Sequence, residues 1–151
     1  MTIITRRPPS WPPQFWRSVD PGVHRCAVAL WAGNGLRGVR SWTRGGALGY
    51  LPIVIEVPQV YDTRGQKGRQ SDIVDLAVAA GMCASALAGP TYASSVYMVR
   101  PMIWKGQVPK KIHQQRILDS LTPAEITVIP ETGRKDTLDA IGIGLWALGR
   151  M

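Results

Sequence analysis

Apolar residues occur in short runs separated by turn residues through the first third of the chain. The run from Arg25 to Ala32 is almost continuously apolar, as expected of a strand covered on both faces. Asn34-Gly35 follows it and predicts a hairpin turn. A later run is rich in β-branched residues and flanked by prolines, which favours another strand. The pattern predicts four strands here: Phe15–Asp20, Arg25–Ala32, Leu36–Thr43 and Leu51–Val57.

Helical periodicity dominates the second half of the chain. A helix is predicted from Ser71 to about Leu87, and it carries two apolar stripes, of which one can pack on a sheet and the other must meet something else. The stripes are Ile73, Ala77, Ala80, Ala84 and Leu87, and Val74, Val78, Met82 and Ser85. The remaining predicted elements are a strand at Val96–Val99, helices at Pro109–Leu121 and Lys135–Leu148, and a capping box at Thr122–Glu125.

This order of elements predicts an α/β fold with a five-stranded mixed sheet. Three strands form a meander, and two parallel strands are added with helices on both faces. Residues 1–14 form a Pro-rich arm without periodicity, and only Trp11 or Phe15 is considered able to dock on the body. We therefore expect one domain over residues 15–151.

Cysteine content and the absence of export or membrane signals favour a cytoplasmic protein. Cys26 and Cys83 stand alone, so neither a disulfide framework nor a Cys-x-x-Cys metal site is predicted. Prolines follow Arg6-Arg7 where an export signal needs an apolar segment. The longest apolar run, Leu76–Gly89, is too short to span a bilayer, so no membrane partner is expected.

The charge balance directs attention to nucleic acid and then to the acidic residues. Eighteen Lys and Arg against ten Asp and Glu give a net charge of +8, which favours an anionic partner. Glu56 interrupts an apolar strand, where an unpaired charge is costly, and Asp20 ends another strand. Asp136 and Asp139 share one face of the last helix.

Four acids from separate parts of the chain can converge at the carboxyl ends of parallel strands. Such a group supplies the oxygen ligands of a two-metal phosphodiester-cleaving site. Ordinary structural roles would also explain some of these residues one at a time. An Asp before Pro-Gly is common in turns, and Asp136 would interact favourably with the dipole at the start of its helix. Glu56 is the hardest of the four to explain in this way, although the end of its strand could relieve the charge.

Four motifs in order resemble RuvC-type Holliday junction resolvases of the ribonuclease H-like superfamily. They are Val19-Asp20-Pro21-Gly22, Ile55-Glu56 with Gln59-Val60-Tyr61, Lys105–Lys111, and Asp136-x-x-Asp139-Ala140. The resemblance covers roughly residues 15–149, and the stretch Trp104–Lys110 is more similar to the phage-encoded branch. Only Arg44–Tyr50 separates the third and fourth strands, so the helix usual there is expected to be reduced or absent.

The resemblance implies a ribonuclease H-like fold and a homodimer that nicks two strands of a four-way junction symmetrically. It also implies two Mg²⁺ or Mn²⁺ ions per site, with Asp20, Glu56, Asp136 and Asp139 as metal ligands and catalytic residues. A cytoplasmic site in a bacterial or phage-infected cell follows from the same likeness.

Basic residues near these acids are the candidate DNA contacts. A loop after the Glu56 strand and the start of a later helix are placed to reach phosphates, and Tyr61 matches an aromatic that stacks at the junction centre. The candidates are Tyr61, Arg64, Lys67, Arg69, Lys105, Lys110 and Lys111. Surface solubility and, for Tyr61, core packing are the alternatives. Trp104 and Trp146 are expected in the core and His113 on the surface.

The small residues of the 71–88 helix are the candidate dimer seam. Ala77, Ala80, Gly81 and Ala84 permit close approach of a second helix, and an uncovered apolar stripe would otherwise face water.

Two other functions stay open on sequence grounds. One is a ribonuclease H-like nuclease acting on flaps, forks or RNA–DNA hybrids. The other is a non-catalytic DNA-structure-binding protein that keeps the acids for folding.

Overall fold

Parallel strands that carry the acidic residues form the centre of the sheet. The computed structural model describes residues 1–8, 10–43, 48–59, 70–91 and 95–151, except for the side chains at positions 70, 135 and 136. The strands are β1 (Thr2–Ile4), β2 (Phe15–Asp20), β3 (Cys26–Ala32), β4 (Gly35–Trp42), β5 (Ile53–Glu56) and β6 (Val96–Val99). The helices are α1 (Gln70–Ala88), α2 (Pro101–Trp104), α3 (Lys110–Asp119), α4 (Pro123–Thr127) and α5 (Arg134–Leu148).

The sheet has six strands in the order β1-β6-β5-β2-β3-β4. The β2–β3–β4 meander is antiparallel, whereas β5 is parallel to both β2 and β6. This confirms a mixed α/β sheet, but the expected number of five strands is one too low. The extra strand is β1, which pairs in parallel with β6 at the edge. Its three β-branched residues, Thr2, Ile3 and Ile4, were the signal, but they are too few to show a period.

The N-terminal segment is attached to the body at a second point. Trp11 makes edge-to-face contacts with Trp16 and Tyr97, at centroid distances of 4.8 and 5.3 Å. The docking considered for Trp11 is therefore confirmed, whereas Phe15 remains about half exposed. Residues 1–8 and 10–14 thus contribute to the sheet and its packing.

A buried arginine holds the connection between β4 and β5. Residues 48–52 are irregular, so the described part of this connection contains no helix, as expected. The Arg17 guanidinium, buried on β2, donates to the carbonyl oxygens of Leu48 and, at 2.9 Å, of Gly49. These bonds satisfy a charge that an apolar strand could not otherwise bury.

Helices pack on both faces of the sheet and enclose two apolar clusters. On one face α5 packs against β2 and β3, where Trp16 and Trp31 stack at 5.3 Å. A Cβ at Gly144 would come within 2.2 Å of the Trp31 ring, so only glycine lets α5 approach this closely. On the other face α1 packs through Cys83, Ala84 and Leu87.

The two cysteines meet in the α1 cluster. Cys26 of β3 and Cys83 of α1 are fully buried, and their Sγ atoms are joined as a disulfide. The expectation of two unpaired cysteines is therefore wrong. Their separation of 57 residues hid a contact that only the packing of α1 on the sheet creates.

One helix in the described ranges, Ser71–Ala88 within α1, has the length and composition to cross a membrane. The helix is longer than the apolar run Leu76–Gly89 because it begins about a turn before Leu76. Its buried residues nevertheless pack on the sheet, as those of an apolar core helix do.

Candidate active site

Three acidic side chains gather at the carboxyl end of the central strands. Asp20 is the last residue of β2 and Glu56 is the last residue of β5, and these strands are parallel neighbours. Asp139 approaches from the second turn of α5, which packs on β2. The prediction that Asp20, Glu56 and Asp139 come close is consistent with the electrostatic effect that Glu56 and Asp139 both exert on the pKa of Asp20.

Asp20 has the most strongly perturbed acidity of the three. Burial raises the pKa of its carboxyl to about 7, and the negative charges of Glu56 and Asp139 act in the same direction. Lys105 and Lys110 partly oppose this increase. Burial and two neighbouring carboxylates thus disfavour the charged form of Asp20, an effect that a nearby cation would oppose.

Glu56 is held by two neighbouring residues. Trp104 Nε1 donates a hydrogen bond of 2.7 Å to Glu56 Oε2, and Lys105 Nζ lies 3.3 Å from the same oxygen. Burial raises the pKa of Glu56, whereas the Lys105 charge and the Trp104 hydrogen bond lower it. Trp104 is the last residue of α2 and Lys105 follows it, so both lie at the same edge of the sheet as the carboxylates.

Asp139 retains an unsatisfied oxygen. Its Oδ2 lies 3.5 Å from Lys105 Nζ, but its Oδ1 is buried and has no hydrogen-bond partner in the described part of the chain. A buried carboxylate oxygen without a donor is costly, and a bound cation would remove that cost, so Asp139 Oδ1 is a candidate metal ligand.

Lys105 lies between two of the acids. Burial lowers the pKa of its ammonium, but Glu56 and Asp139 outweigh that effect and the net shift is upward. From the sequence, Lys105 is predicted to contact phosphates on a basic surface. The structure places it within the acidic cluster instead, where its charge holds two carboxylates together.

The donor set fits a hard divalent cation. In the described residues no group of three or more His, Cys, Asp or Glu is arranged to hold a metal ion by itself. Nevertheless, two carboxylates already gather around the cation of Lys105, and Asp139 Oδ1 is unsatisfied. Carboxylate oxygens are the ligands of Mg²⁺ and Mn²⁺. Asp20, Glu56 and Asp139 therefore fit the predicted metal, and Asp136 lies in the first turn of α5 with its side chain outside the described set.

A cleft of about 420 Å³ opens beside Asp20 and Asp139. Its polar rim includes the exposed residues Arg25, Ser41, Lys110 and Thr132. Lys110 was a predicted DNA contact, and the structure places it on this rim. Lys111 is exposed on α3, outside the cleft lining. Arg25 was missed, although its place five residues after Asp20 in a turn could have suggested it.

Four predicted DNA contacts lie outside the described residues. They are Tyr61, Arg64, Lys67 and Arg69.

Two residues near the site were assigned other places or roles by sequence. His113 is buried with an unpartnered Nε2 and its ring lies 4.9 Å from that of Trp104, so the surface prediction is wrong. The signal was its spacing of four from Ile117, which defines the buried face of α3. Trp104 is in the core as predicted, but its hydrogen bond to Glu56 was not foreseen.

The proposed dimer seam is partly wrong. Ala80 and Ala84 are only 3% and 1% exposed because they pack on the protein's own sheet. Ala77 and Gly81 are exposed. The second stripe predicted for this helix does face outward, with Val74, Val78 and Met82 between 50% and 61% exposed. We refer to Val74, Val78 and Met82 as the outer α1 stripe.

Comparisons with known proteins support the architecture. No protein-family model matches the chain, and no curated protein matches it in sequence. Among solved structures, the chain is similar to Thermus thermophilus RuvC, with a TM-score of 0.50 and 15% identity over 91% of this chain and 96% of that one. A structure of T. thermophilus RuvC in complex with Holliday junction substrate gives a TM-score of 0.53 and 13% identity over the same shares. This chain therefore has a RuvC-like α/β fold of the ribonuclease H-like class.

Proposed function

We propose that this chain is a metal-dependent endonuclease that resolves four-way DNA junctions by paired symmetric nicks. One observation carries the proposal: Asp20, Glu56 and Asp139 gather at the carboxyl ends of parallel strands, beside an open cleft, in a RuvC-like fold. A cluster of carboxylates is unexpected on a protein of net charge +8, and cation binding explains it.

Asp20, Glu56 and Asp139, with Asp136 as the fourth ligand, would hold two Mg²⁺ or Mn²⁺ ions. Bound ions of this kind promote attack of water on a phosphodiester and stabilise the leaving oxygen. Lys105 keeps Glu56 and Asp139 close together despite their like charges. The unsatisfied Asp139 Oδ1 favours occupancy of the site, because a cation would remove the cost of leaving it buried.

The cleft beside Asp20 is the proposed path of the cut strand. Trp104 and Lys105 contact Glu56, whereas the space beside Asp20 and Asp139 is open. Arg25 and Lys110 line that space, and neither forms an ion pair within the described ranges, so both charges remain available for phosphates. Tyr61, Arg64, Lys67 and Arg69 complete the proposed DNA contacts, and Lys111 extends them along α3.

A four-way junction is the substrate that the comparison favours. One similar solved structure is of RuvC in complex with Holliday junction substrate. Symmetric cutting of a junction requires two active sites related by a two-fold axis, so we propose a homodimer. The outer α1 stripe is the apolar surface that such a contact would cover. The activity would serve DNA recombination and repair in the bacterial cytoplasm, and the Trp104–Lys110 stretch supports a place in the phage-encoded branch.

Cleavage of defined substrates tests this proposal. Four-way, three-way and linear duplexes of matched length are incubated with the protein and Mg²⁺, Mn²⁺ or EDTA. Paired nicks confined to the four-way junction and dependent on metal support a resolvase. Preferential cutting of three-way substrates or hybrids supports a ribonuclease H-like nuclease of other specificity, and binding without any cutting supports a non-catalytic DNA-structure-binding protein. Either of the last two results would overturn the proposal.

A further inference from the structure

We propose that Trp104 is a positioning residue that fixes Glu56 for metal binding. The inference rests on the proposed function, in which Glu56 is a metal ligand. The indole Nε1 donates to Glu56 Oε2 at 2.7 Å, a length typical of a strong bond to a charged acceptor. Trp104 is only 5% exposed, so water competes little for this acceptor from the Trp104 side.

The Trp104 ring is held by neighbours from several directions. A Cβ at Gly142 would come within 2.7 Å of Trp104 Cζ3, which shows that the ring lies directly against the α5 backbone. His113 of α3 contacts the ring at a centroid distance of 4.9 Å, and Lys105 Nζ lies 4.8 Å from the ring centroid. With so little freedom, the indole N–H presents a fixed donor to Glu56.

The backbone of α2 is fixed as well. Pro101 begins this helix, and Lys105 N closes it with a hydrogen bond of 2.9 Å to Pro101 O. Met102 N donates to Gln59 Oε1 at 3.4 Å, which joins the helix to the segment after β5. Trp104 ends this helix and Lys105 follows it directly. One short helix therefore fixes the positions of both partners of Glu56.

A core role alone would not need the nitrogen of the indole. Phe fills most of the same space but has no donor, so Trp104→Phe separates packing from hydrogen bonding. Loss of a partner that orients a metal ligand lowers metal affinity or activity by about 10–100-fold. We therefore expect Trp104→Phe to fold but to bind Mn²⁺ at least about tenfold more weakly and to lose kcat with little change in KM for DNA.

The experiment measures Mn²⁺ binding to the DNA-free protein by titration calorimetry, together with Tm and cleavage kinetics. Trp146→Phe is the matched control, since Trp146 occupies the same core cluster but makes no contact with Glu56. Because Trp146 does not orient a metal ligand, Trp146→Phe should leave the Mn²⁺ affinity within about twofold of wild type. Equal Mn²⁺ affinity of Trp104→Phe and wild type would overturn the inference.

A second pair of variants keeps the test informative if Trp104→Phe does not fold. Gly142→Ala pushes a methyl group against Trp104 and, equally closely, against Ile117. Gly144→Ala, two residues further along α5, pushes one against Trp31 of β3 instead. Only the first should weaken Mn²⁺ binding beyond the loss expected from reduced stability. Equal effects of the two substitutions would contradict a special role of Trp104.

A metal-free measurement separates this inference from the proposed function. A double-mutant cycle of Trp104→Phe and Glu56→Leu, each of which removes one partner of the hydrogen bond, is read by denaturant unfolding in EDTA and reports that bond itself. Coupling between the two substitutions supports the contact, and additive effects overturn it. If wild type neither binds Mn²⁺ nor cuts DNA while the coupling is present, the proposed function and the metal role of Trp104 both fail, and only the Trp104–Glu56 hydrogen bond stands. If wild type binds Mn²⁺ and cuts DNA but Trp104→Phe binds it equally well, only the inference on Trp104 fails.

Discussion

Lys105 Nζ lies 3.5 Å from Asp139 Oδ2, which joins the turn after α2 to helix α5. The same ammonium lies 3.3 Å from Glu56 Oε2, at the end of β5. One cation therefore reduces the repulsion between two partly buried carboxylates that come from distant parts of the chain. A bound divalent metal would reduce the same repulsion, so Lys105 and the metal act on the same two carboxylates.

Replacing Lys105 should make the folded protein depend more strongly on metal. In Lys105→Met the two carboxylates repel each other without compensation, so the metal-free protein loses about 1 kcal/mol or more. The rise in Tm on adding saturating Mn²⁺ should then exceed that of wild type by about 2–4 °C per kcal/mol. Thermal unfolding in EDTA and in Mn²⁺ measures this difference.

Lys111→Met removes the same charge from an exposed position on α3 and serves as the control. It should show the wild-type response to Mn²⁺. A Lys105→Met protein whose metal-induced rise in Tm equals that of the control would contradict the account of Lys105.

The perturbed acidity of Asp20 predicts a specific dependence of stability on pH. Its pKa in the fold is about 7 against an ordinary value of 3.8, so folding favours the protonated form. Ionised Asp20 therefore destabilises the metal-free protein fully above about pH 7, and this loss disappears as the pH falls towards 4.

Asp20→Asn removes that ionisation, so in EDTA it should be more stable than wild type at pH 8 and lose this advantage at pH 4. Denaturant unfolding at both values measures the difference, and Asp75→Asn, at an exposed position of α1, is the control. A pH-independent difference between Asp20→Asn and wild type would show that the acidity of Asp20 is not perturbed.

Arg25 should contribute a phosphate contact that sequence analysis did not identify. Because it lines the cleft next to Asp20, Arg25→Ala should weaken junction binding and reduce the slope of log K against log salt by about 1. Arg37→Ala removes an exposed charge from β4 away from this cleft and is the control. Binding measured by fluorescence anisotropy in Ca²⁺ at several salt concentrations gives both slopes. Equal slopes for the two variants would exclude Arg25 from the DNA path.

The outer α1 stripe predicts where a dimer can be broken without unfolding the chain. Val78 is 55% exposed, so Val78→Glu should leave the stability of the monomer within about 0.5 kcal/mol. In a dimer that uses this stripe, the two buried charges would prevent association and leave single nicks. Light scattering measures the mass, with Ile126→Glu on α4 as the control. A dimer that persists in Val78→Glu would place the interface elsewhere.

The outcome at α1 shows what periodicity can and cannot predict. Two apolar stripes were visible in the sequence, and the expectation that only one of them packs on the sheet is consistent with the exposed Val74, Val78 and Met82. Composition alone did not decide which small residues face the sheet. Ala80 and Ala84 are buried because β5 and α1 pack closely there, and such tertiary contacts leave no mark on local pattern.

The acidic site was more predictable than the groups around it. Glu56 stood out because a charge inside an apolar strand is costly, and Asp20 because it ends a strand. Trp104, His113 and the Cys26–Cys83 pair act through contacts between elements far apart in sequence. An indole donor or a buried imidazole has no sequence signature that separates it from ordinary core residues.

Cleavage of a four-way junction by wild type and Glu56→Gln decides whether the acidic residues form a metal-dependent resolving site. The substrate carries a different label on each strand, and the reactions contain Mg²⁺, Mn²⁺ or EDTA. Wild type should make paired nicks at symmetric positions in opposed strands with metal and none in EDTA, and Glu56→Gln should lose cutting while it retains junction binding. Near-normal cutting by Glu56→Gln, or cutting that persists in EDTA, would show that these acids do not form a metal-dependent nuclease site.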